Sequence, residues 1–340
     1  MFERQIKIPE PEEIKAAVPL SGELKKIKLG RDKAISDVIT GKSGKLIIIV
    51  GPCSAHAEKP VLEYVERLGK LNEKVKEKLV LVPRIYTNKP RTKGVGYKGM
   101  FSQPDPSKSE DILAGIKMIR DLNVKAIGVS GLSAADEMLY PSNYGYVDDL
   151  LSYVAVGARS SENQLHRLVS SGIDVSVGIK NPMSGSIMVL LNSIYAAQSG
   201  QTFALNGYQV KTDGNPLAHA ILRGGVDGYG NDIPNFHYET VMQVIEGYAK
   251  SGLKNPAIII DANHSNSSKK FKHQIRICEE VLNNRLYDAD FKQNVKGFMI
   301  ESFLEEGNQP EDKIYGKSIT DPCLGWCDTE RLLLDIADKV

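Results

Sequence analysis

Residues 45–54 read KLIIIVGPCS, a short run of branched apolar side chains closed by a glycine-proline pair. An unbroken run of this kind suits a strand buried on both faces, as in a parallel sheet. Working outward, similar runs recur at 79–86 (LVLVPRIY), 126–130 (AIGVS), 153–158 (YVAVGA), 174–179 (DVSVGI), 219–223 (HAILR), 257–261 (AIIID) and 295–301 (VKGFMIE). Helical patterns lie between most of them. Residues 60–76 set Leu62, Val65, Leu68 and Leu71 on one face. Ser107 and Glu110 have the spacing of a capping box ahead of a helix over 109–121. Further helices are expected over 161–171, 186–198, 238–250, 268–286 and 328–338. Eight strands alternating with helices favour an α/β fold of the (β/α)8 TIM-barrel type, although spacing alone also admits a doubly wound sheet.

Two segments stand outside this rhythm. Residues 1–44 are rich in Lys and Glu, with one helix expected over roughly 30–41, and read as an N-terminal arm rather than a domain. Residues 45–340 read as one barrel domain. The interval QTFALNGYQVKTDGNP, at 201–216, holds two strand-like runs around Asn206-Gly207, a strong hairpin signal. It reads as a hairpin inserted into the barrel.

The 340 residues carry 43 Lys and Arg against 42 Asp and Glu, a net charge of +1. Nucleic-acid binders are usually distinctly basic, so that partner class is set aside. No run approaches the roughly 18–20 apolar residues of a membrane span, and the start, MFERQIKIPEPEEIK, has no apolar signal core. Cys53, Cys278, Cys323 and Cys327 are too few for a disulfide scaffold. A soluble cytoplasmic protein is expected.

In a barrel, chemistry collects at the C-terminal ends of the strands. Read in order, those ends bring Arg84 and Lys89, Arg159, Lys180 and Arg223 to one face. Their mutual repulsion calls for anions, and phosphate suits the planar fork of Arg and the point charge of Lys. Cys53, His264, Glu301 and Asp321 form a second set at the same face. A thiol with one imidazole and two carboxylates suits a divalent transition metal better than magnesium, and lacks the paired spacing of structural zinc. Cys278 falls in a helical apolar stripe and reads as core. His166, His237 and His273 lie on or beside helices, His219 opens a strand at the wrong end, and His56 follows the first catalytic loop. No Walker loop or nucleophile elbow is present. Lys89 could form a Schiff base in principle, but its Pro-Arg-Thr neighbours favour anion binding.

GPCS (51–54), PRIYTNKPRT (83–92), GARSSEN (157–163), GIKN (178–181), ILRGG (221–225), DANHSNSSKK (261–270), ESFLEEGNQ (301–309) and KSITDPCLGW (317–326) together resemble class I 3-deoxy-D-arabino-heptulosonate 7-phosphate (DAHP) synthases. The resemblance runs from about residue 45 to the C-terminus, and more loosely through the arm. It implies a metal-dependent condensation of phosphoenolpyruvate with erythrose 4-phosphate, opening the shikimate pathway. Cys53, His264, Glu301 and Asp321 would ligate a divalent ion drawn from Mn, Fe, Co, Zn or Cu, with Cys53, His264 and Lys89 in catalytic roles. Arg84, Lys89, Arg159, Lys180 and Arg223 would hold phosphoenolpyruvate. Lys89, Pro90, Arg91 and Thr92 would hold erythrose 4-phosphate, with Lys89 the candidate proton donor to the new alkoxide and a metal-bound water its competitor. The resemblance implies that the arm and the hairpin help form an inhibitor site for an aromatic amino acid at a subunit boundary, in a homodimer or homotetramer, with an oligomer contact alone as the other reading.

Two departures from the resemblance stand out. Relatives usually carry an acid shortly after GPCS, where this chain has His56-Ala57. The loop after Lys180 reads Asn181-Pro182-Met183-Ser184-Gly185, where relatives are richer in Gly and Thr-Asp. The nearest rival, a 3-deoxy-D-manno-octulosonate 8-phosphate synthase using arabinose 5-phosphate, is disfavoured by KPRT and by the arm. A non-catalytic phosphosugar sensor is disfavoured by the complete ligand and cation sets.

Overall fold

The computed structural model describes residues 1–91 and 94–340. Its centre is a parallel eight-stranded sheet of β1 (Leu46–Gly51), β2 (Leu79–Pro83), β3 (Ala135–Glu137), β4 (Tyr153–Val156), β5 (Ser176–Lys180), β6 (Ala218–Leu222), β7 (Ile258–Asp261) and β8 (Val295–Glu301). The neighbours run β2-β1-β8-β7-β6-β5-β4-β3. A parallel bridge between Arg84 and Ala135 joins the two ends, so the sheet curls into a (β/α)8 barrel.

The strands are apolar throughout because both faces are covered. Ile47, Ile49, Val80, Val82, Ile221 and Ile259 fill the barrel together with Tyr153 and Met299. Ile48, Val50, Leu81, Val154, Ile260 and Ile300 pack outward against the helices. Gly178 in β5 has a steric reason: a Cβ there would lie 2.0 Å from the Tyr153 hydroxyl inside the barrel. Ile35, Val38 and Ile39 of the helix Gly22–Ile39 join the interior cluster, so part of the arm plugs the barrel floor. That helix begins at Gly22, capped by Ser21, rather than near residue 30.

Several expected elements need correction. Residues 126–130 are not a strand. They close the helix Ile112–Ser130, in which Ala126 and Ile127 are buried one turn after Leu122 and Asn123, and Gly131 ends it at φ 67°. The third strand is instead Ala-Asp-Glu, without one β-branched side chain. Asp111 caps that helix, accepting from the Ala114 N–H at 3.0 Å, while Ser107 Oγ donates to Asp105. The helix expected over 268–286 opens late, at His273, and runs to Tyr287, after a separate turn at His264–Ser267. The helix expected over 161–171 is Gln164–Ser170, because Asn163 caps it through the Leu165 and His166 amides.

The hairpin pairs Thr202–Leu205 with Tyr208–Lys211 about Asn206 (φ 49°) and Gly207 (φ 84°), both left-handed as a tight two-residue turn demands. Among the described residues no helix is long and apolar enough to cross a membrane.

Candidate active site

The strand ends surround a cavity of about 220 Å³ at the C-terminal mouth of the barrel. Cys53, Arg84, Lys89, Pro90, Arg91, Arg159, Lys180, Arg223, His264 and Asp321 all line it. Glu301 lies buried beneath, at 1% exposure. Thr92 lies outside the described residues. Sheet register explains the grouping: β1 and β8 pair Gly51 with Glu301, which sets the Cys53 loop directly over that carboxylate.

One donor atom each of Cys53, Glu301 and Asp321 lies within 4.8 Å of the others. Cys53 Sγ stands 3.4 Å from Asp321 Oδ2, and His264 Nε2 stands 3.7 Å from Glu301 Oε1. His264 Nδ1 faces Asp261 Oδ2 at 2.8 Å, which leaves Nε2 pointed at the cluster. His264 takes a left-handed φ of 50°, an unfavourable conformation for a histidine that the surrounding structure must hold. Cys53, Glu301 and Asp321 stand close enough to share a divalent cation, and His264 flanks them beside Glu301. Glu301 Oε1 is buried without an aligned hydrogen bond, although Arg84 Nη2 is 2.9 Å away. The soft thiol and the harder imidazole and carboxylates together suit a transition ion.

Lys89 already brings a cation among these donors. Its Nζ lies 2.7 Å from Cys53 Sγ and 3.0 Å from Asp321 Oδ2. Burial opposes the ammonium, but Cys53 and Asp321 outweigh it and raise the Lys89 pKa, so Lys89 stays protonated. Burial likewise disfavours a charged Asp321, yet Lys89 and Lys269 hold it far below the ordinary carboxylate range. Lys269 Nζ reaches Asp321 Oδ1 at 3.0 Å. Burial first, and then Glu301, push the Cys53 thiol up, with Lys89 opposing.

Arg84 and Lys180 each pair with a buried carboxylate. Arg84 donates to the Pro52 carbonyl at 2.6 Å, pairs with Glu301 and lies 3.8 Å above the Tyr86 ring centre. Lys180 Nζ pairs with Asp261 Oδ2 at 3.0 Å, and Asp261, buried though it is, is held well below the usual range by His264 and Lys180. Arg223 donates to Ser265 Oγ at 3.3 Å and to the Gly224 carbonyl at 3.4 Å. Burial lowers its pKa, and the charge of Arg159 lowers it further against the pull of Asp261.

Strand-end reading missed several groups that shape this site. Asp261 stood at the head of DANHS as a strand-end residue without a role, and it orients both Lys180 and His264. Lys269, inside the same motif, neutralises Asp321. Glu137 lines the cavity from β3, and was overlooked because that strand was sought elsewhere. Asn181 accepts from the Arg223 N–H at 2.9 Å, and Asn266 donates to the Leu222 and Asp261 carbonyls, locking the ends of β5, β6 and β7 together. The departure at Pro182-Met183 keeps its fold: the Met183 carbonyl accepts from Val226 N at 2.7 Å, and Met183 lines the cavity. Ala57 occupies the N-cap of the helix Glu58–Val75 and offers it no side-chain acceptor. His56 is buried, with Nε2 3.4 Å from Asp312 Oδ1 in the loop after β8.

A second cavity, of about 580 Å³, opens where the arm meets the barrel. Ile8, Glu10 and Pro11 of the arm, Phe101, Tyr140 and Tyr146 of the barrel, and Asn206 of the hairpin line it. Arg120, fully buried, ties the arm down by donating to the Val18 carbonyl while pairing with both oxygens of Asp149.

Residues 17–334 match the DAHP synthetase I family. The Phe-sensitive phospho-2-dehydro-3-deoxyheptonate aldolase of Escherichia coli (strain K12) is 40% identical over 318 residues, covering 91% of this chain and 87% of that one. The Trp-sensitive aldolase of the same name from Enterobacter agglomerans is 37% identical over 341 residues, covering 97% and 94%. The structure of phospho-2-dehydro-3-deoxyheptonate aldolase from Francisella tularensis SCHU S4 superposes with a TM-score of 0.92 at 30% identity, covering 100% of this chain and 98% of that one. Barrel, strand-end site and sequence agree, and the chain belongs to the DAHP synthetase I family.

Proposed function

We propose that this chain condenses phosphoenolpyruvate with erythrose 4-phosphate and water to give 3-deoxy-D-arabino-heptulosonate 7-phosphate and phosphate, the entry to aromatic amino acid biosynthesis. The observation that carries this reading is one cavity in which Arg84, Lys89, Arg159, Lys180 and Arg223 meet Cys53, His264 and Asp321, with Glu301 buried beneath. Cys53, His264, Glu301 and Asp321 would hold the divalent ion. When bound, that ion supplies Lewis acidity toward the aldehyde oxygen.

The chain's own groups do the rest. Arg159 and Arg223 grip the phosphate of phosphoenolpyruvate, whose charge offsets their repulsion. Lys180 and Arg84, oriented by Asp261 and Glu301, face its carboxylate. Lys89, Pro90 and Arg91, continuing to Thr92, hold erythrose 4-phosphate. Bringing two anionic substrates together costs Coulomb energy that these cations offset in a partly dry cavity. The methylene carbon of phosphoenolpyruvate attacks the aldehyde carbon, and the Lys89 ammonium holds the proton for the alkoxide that forms. Water adds at the enol-phosphate carbon, and phosphate leaves.

The test is phosphoenolpyruvate consumption with erythrose 4-phosphate or with arabinose 5-phosphate. Turnover with the four-carbon sugar is expected. A preference for arabinose 5-phosphate would overturn the substrate assignment.

The cavity between arm and hairpin is read as the site of an aromatic amino acid effector, supported by relatives named as Phe-, Tyr- and Trp-sensitive. Thermal shift and inhibition with each of the three amino acids test it, and no response to any of them removes the reading. The arm leaves Met1, Phe2 and Ile6 exposed, a surface that a second copy in a homodimer or homotetramer would cover. The four cysteines are free thiols, in keeping with a reducing, cytoplasmic setting.

A further inference from the structure

The short strand β3 buries a carboxylate that the reaction above does not use. Asp136 is 4% exposed. Its Oδ1 accepts from the Thr87 N–H at 2.9 Å and from the Glu137 N–H at 2.7 Å, and its Oδ2 accepts a short hydrogen bond from the Thr87 hydroxyl. Two of these three donors belong to Thr87, which opens the run Thr87-Asn88-Lys89-Pro90-Arg91.

Thr87 is also where the far end of the same loop returns. Its carbonyl accepts from the Phe101 N–H at 3.0 Å. Gly99, at φ 99°, passes so close that a Cβ would stand 2.4 Å from that carbonyl oxygen. Between these ends the loop is braced internally, by the Lys89 N–H on the Lys98 carbonyl at 3.1 Å and by Arg91 Nε on the Tyr97 carbonyl at 2.8 Å. The pose of Lys89 and Arg91 is therefore referred to the barrel wall through Thr87, and Asp136 is the wall's grip on Thr87.

We propose that Asp136 is a positioning residue for the aldose phosphate, fixing Thr87 at both its amide and its hydroxyl and thereby setting where Lys89 and Arg91 present their charges. This rests on the reading of that loop as the erythrose 4-phosphate site. The acceptor pattern makes the idea specific. Both amides fall on Oδ1 and the hydroxyl on Oδ2, so an asparagine with its carbonyl at the Oδ1 place keeps both amide bonds, and its NH2 donates to Thr87 Oγ1. An alanine loses all three. Burial also pushes the Asp136 carboxyl up to about 7, with Thr87 opposing, so its neutral form is already populated near neutral pH. What Thr87 needs is the arrangement of acceptors rather than a full charge.

Steady-state KM values for both substrates, at saturating manganese, provide the test. Asp136→Ala is expected to raise the KM for erythrose 4-phosphate by roughly tenfold, the usual scale for losing buried hydrogen bonds, while the phosphoenolpyruvate KM stays within about twofold. Asp136→Asn should return the erythrose 4-phosphate KM to near the parent value. Arg91→Ala, measured alongside, separates the two ideas. If it leaves that KM unchanged, the loop is not the aldose phosphate site. If it raises that KM while folded Asp136→Ala does not, the positioning role is overturned. Equal rises in both KM values, or failure of Asn to rescue, overturn it as well. Should Asp136→Ala not fold, Thr87→Val removes only the hydroxyl donor. A rise confined to the erythrose 4-phosphate KM then supports the role, and an unchanged value contradicts it.

Discussion

The ammonium of Lys89 lies 2.7 Å from the sulfur of Cys53. The same nitrogen reaches Asp321, so one cation shares the donors that a divalent ion would take. Unit charges 4 Å apart interact by about 4 kcal/mol at an effective dielectric of 20. Removing the ammonium therefore relieves a repulsion against the incoming metal. Lys89→Met should bind manganese tighter, on the order of tenfold (~1.4 kcal/mol), while turnover collapses with the loss of the proton donor. Metal titration of the stripped protein reads the first effect and the product assay the second. Weaker manganese binding in Lys89→Met would show that the lysine supports the metal rather than competing with it.

Asp261 gives a pH-dependent expectation for stability. It is buried between Lys180 and His264, which hold its pKa well below the unfolded value of about 3.9. A group depressed on folding contributes stability above its unfolded pKa and loses it as pH falls through the folded pKa. Asp261→Asn leaves Lys180 buried without its counter-charge, a change that typically costs about 3–5 kcal/mol. Urea unfolding should show that deficit in full at pH 7, and the gap between variant and parent should narrow below pH 4. A gap that stays constant or widens on acidification contradicts the assignment.

Ala57 offers a gain. It takes the extended N-cap conformation (φ −145°, ψ 133°) of the helix Glu58–Val75 but brings no acceptor for the free amides. An aspartate there would cap an amide and favour the positive helix end, adding about 1 kcal/mol. Ala57→Asp should raise Tm without altering either KM. An unchanged Tm would show that the loop from His56 cannot present the carboxylate to the helix.

How much of this was legible in the sequence depended on where branched side chains fell. β1 and β7 are buried on both faces and announce themselves as unbroken runs of Leu, Ile and Val, and reading the strand ends put Arg84 and Lys180 at the barrel mouth. Residues 126–130 carry the same composition but continue the apolar face of a helix, so composition misled where period would have decided. The true third strand, Ala-Asp-Glu, is held by pairing with β4 and the Arg84–Ala135 bridge, tertiary contacts that leave no local trace. Missing it hid Asp136 and Glu137 together. The candidate metal donors could be picked out because three ligating side chains, Cys53, His264 and Glu301, sit at strand ends, with Asp321 in the loop beyond. That Lys89 stands among them was not readable, since a side chain's reach across the barrel mouth depends on loop geometry.

The most direct measurement is manganese titration of the chelator-stripped protein, followed in parallel by calorimetry and by product formation from phosphoenolpyruvate and erythrose 4-phosphate. With Cys53, His264, Glu301 and Asp321 as the ligands, about one ion per chain should bind, turnover should rise with occupancy, and Cys53→Ser should weaken binding and turnover together. Full turnover by the stripped protein in excess chelator, or unchanged metal binding in Cys53→Ser, would contradict it.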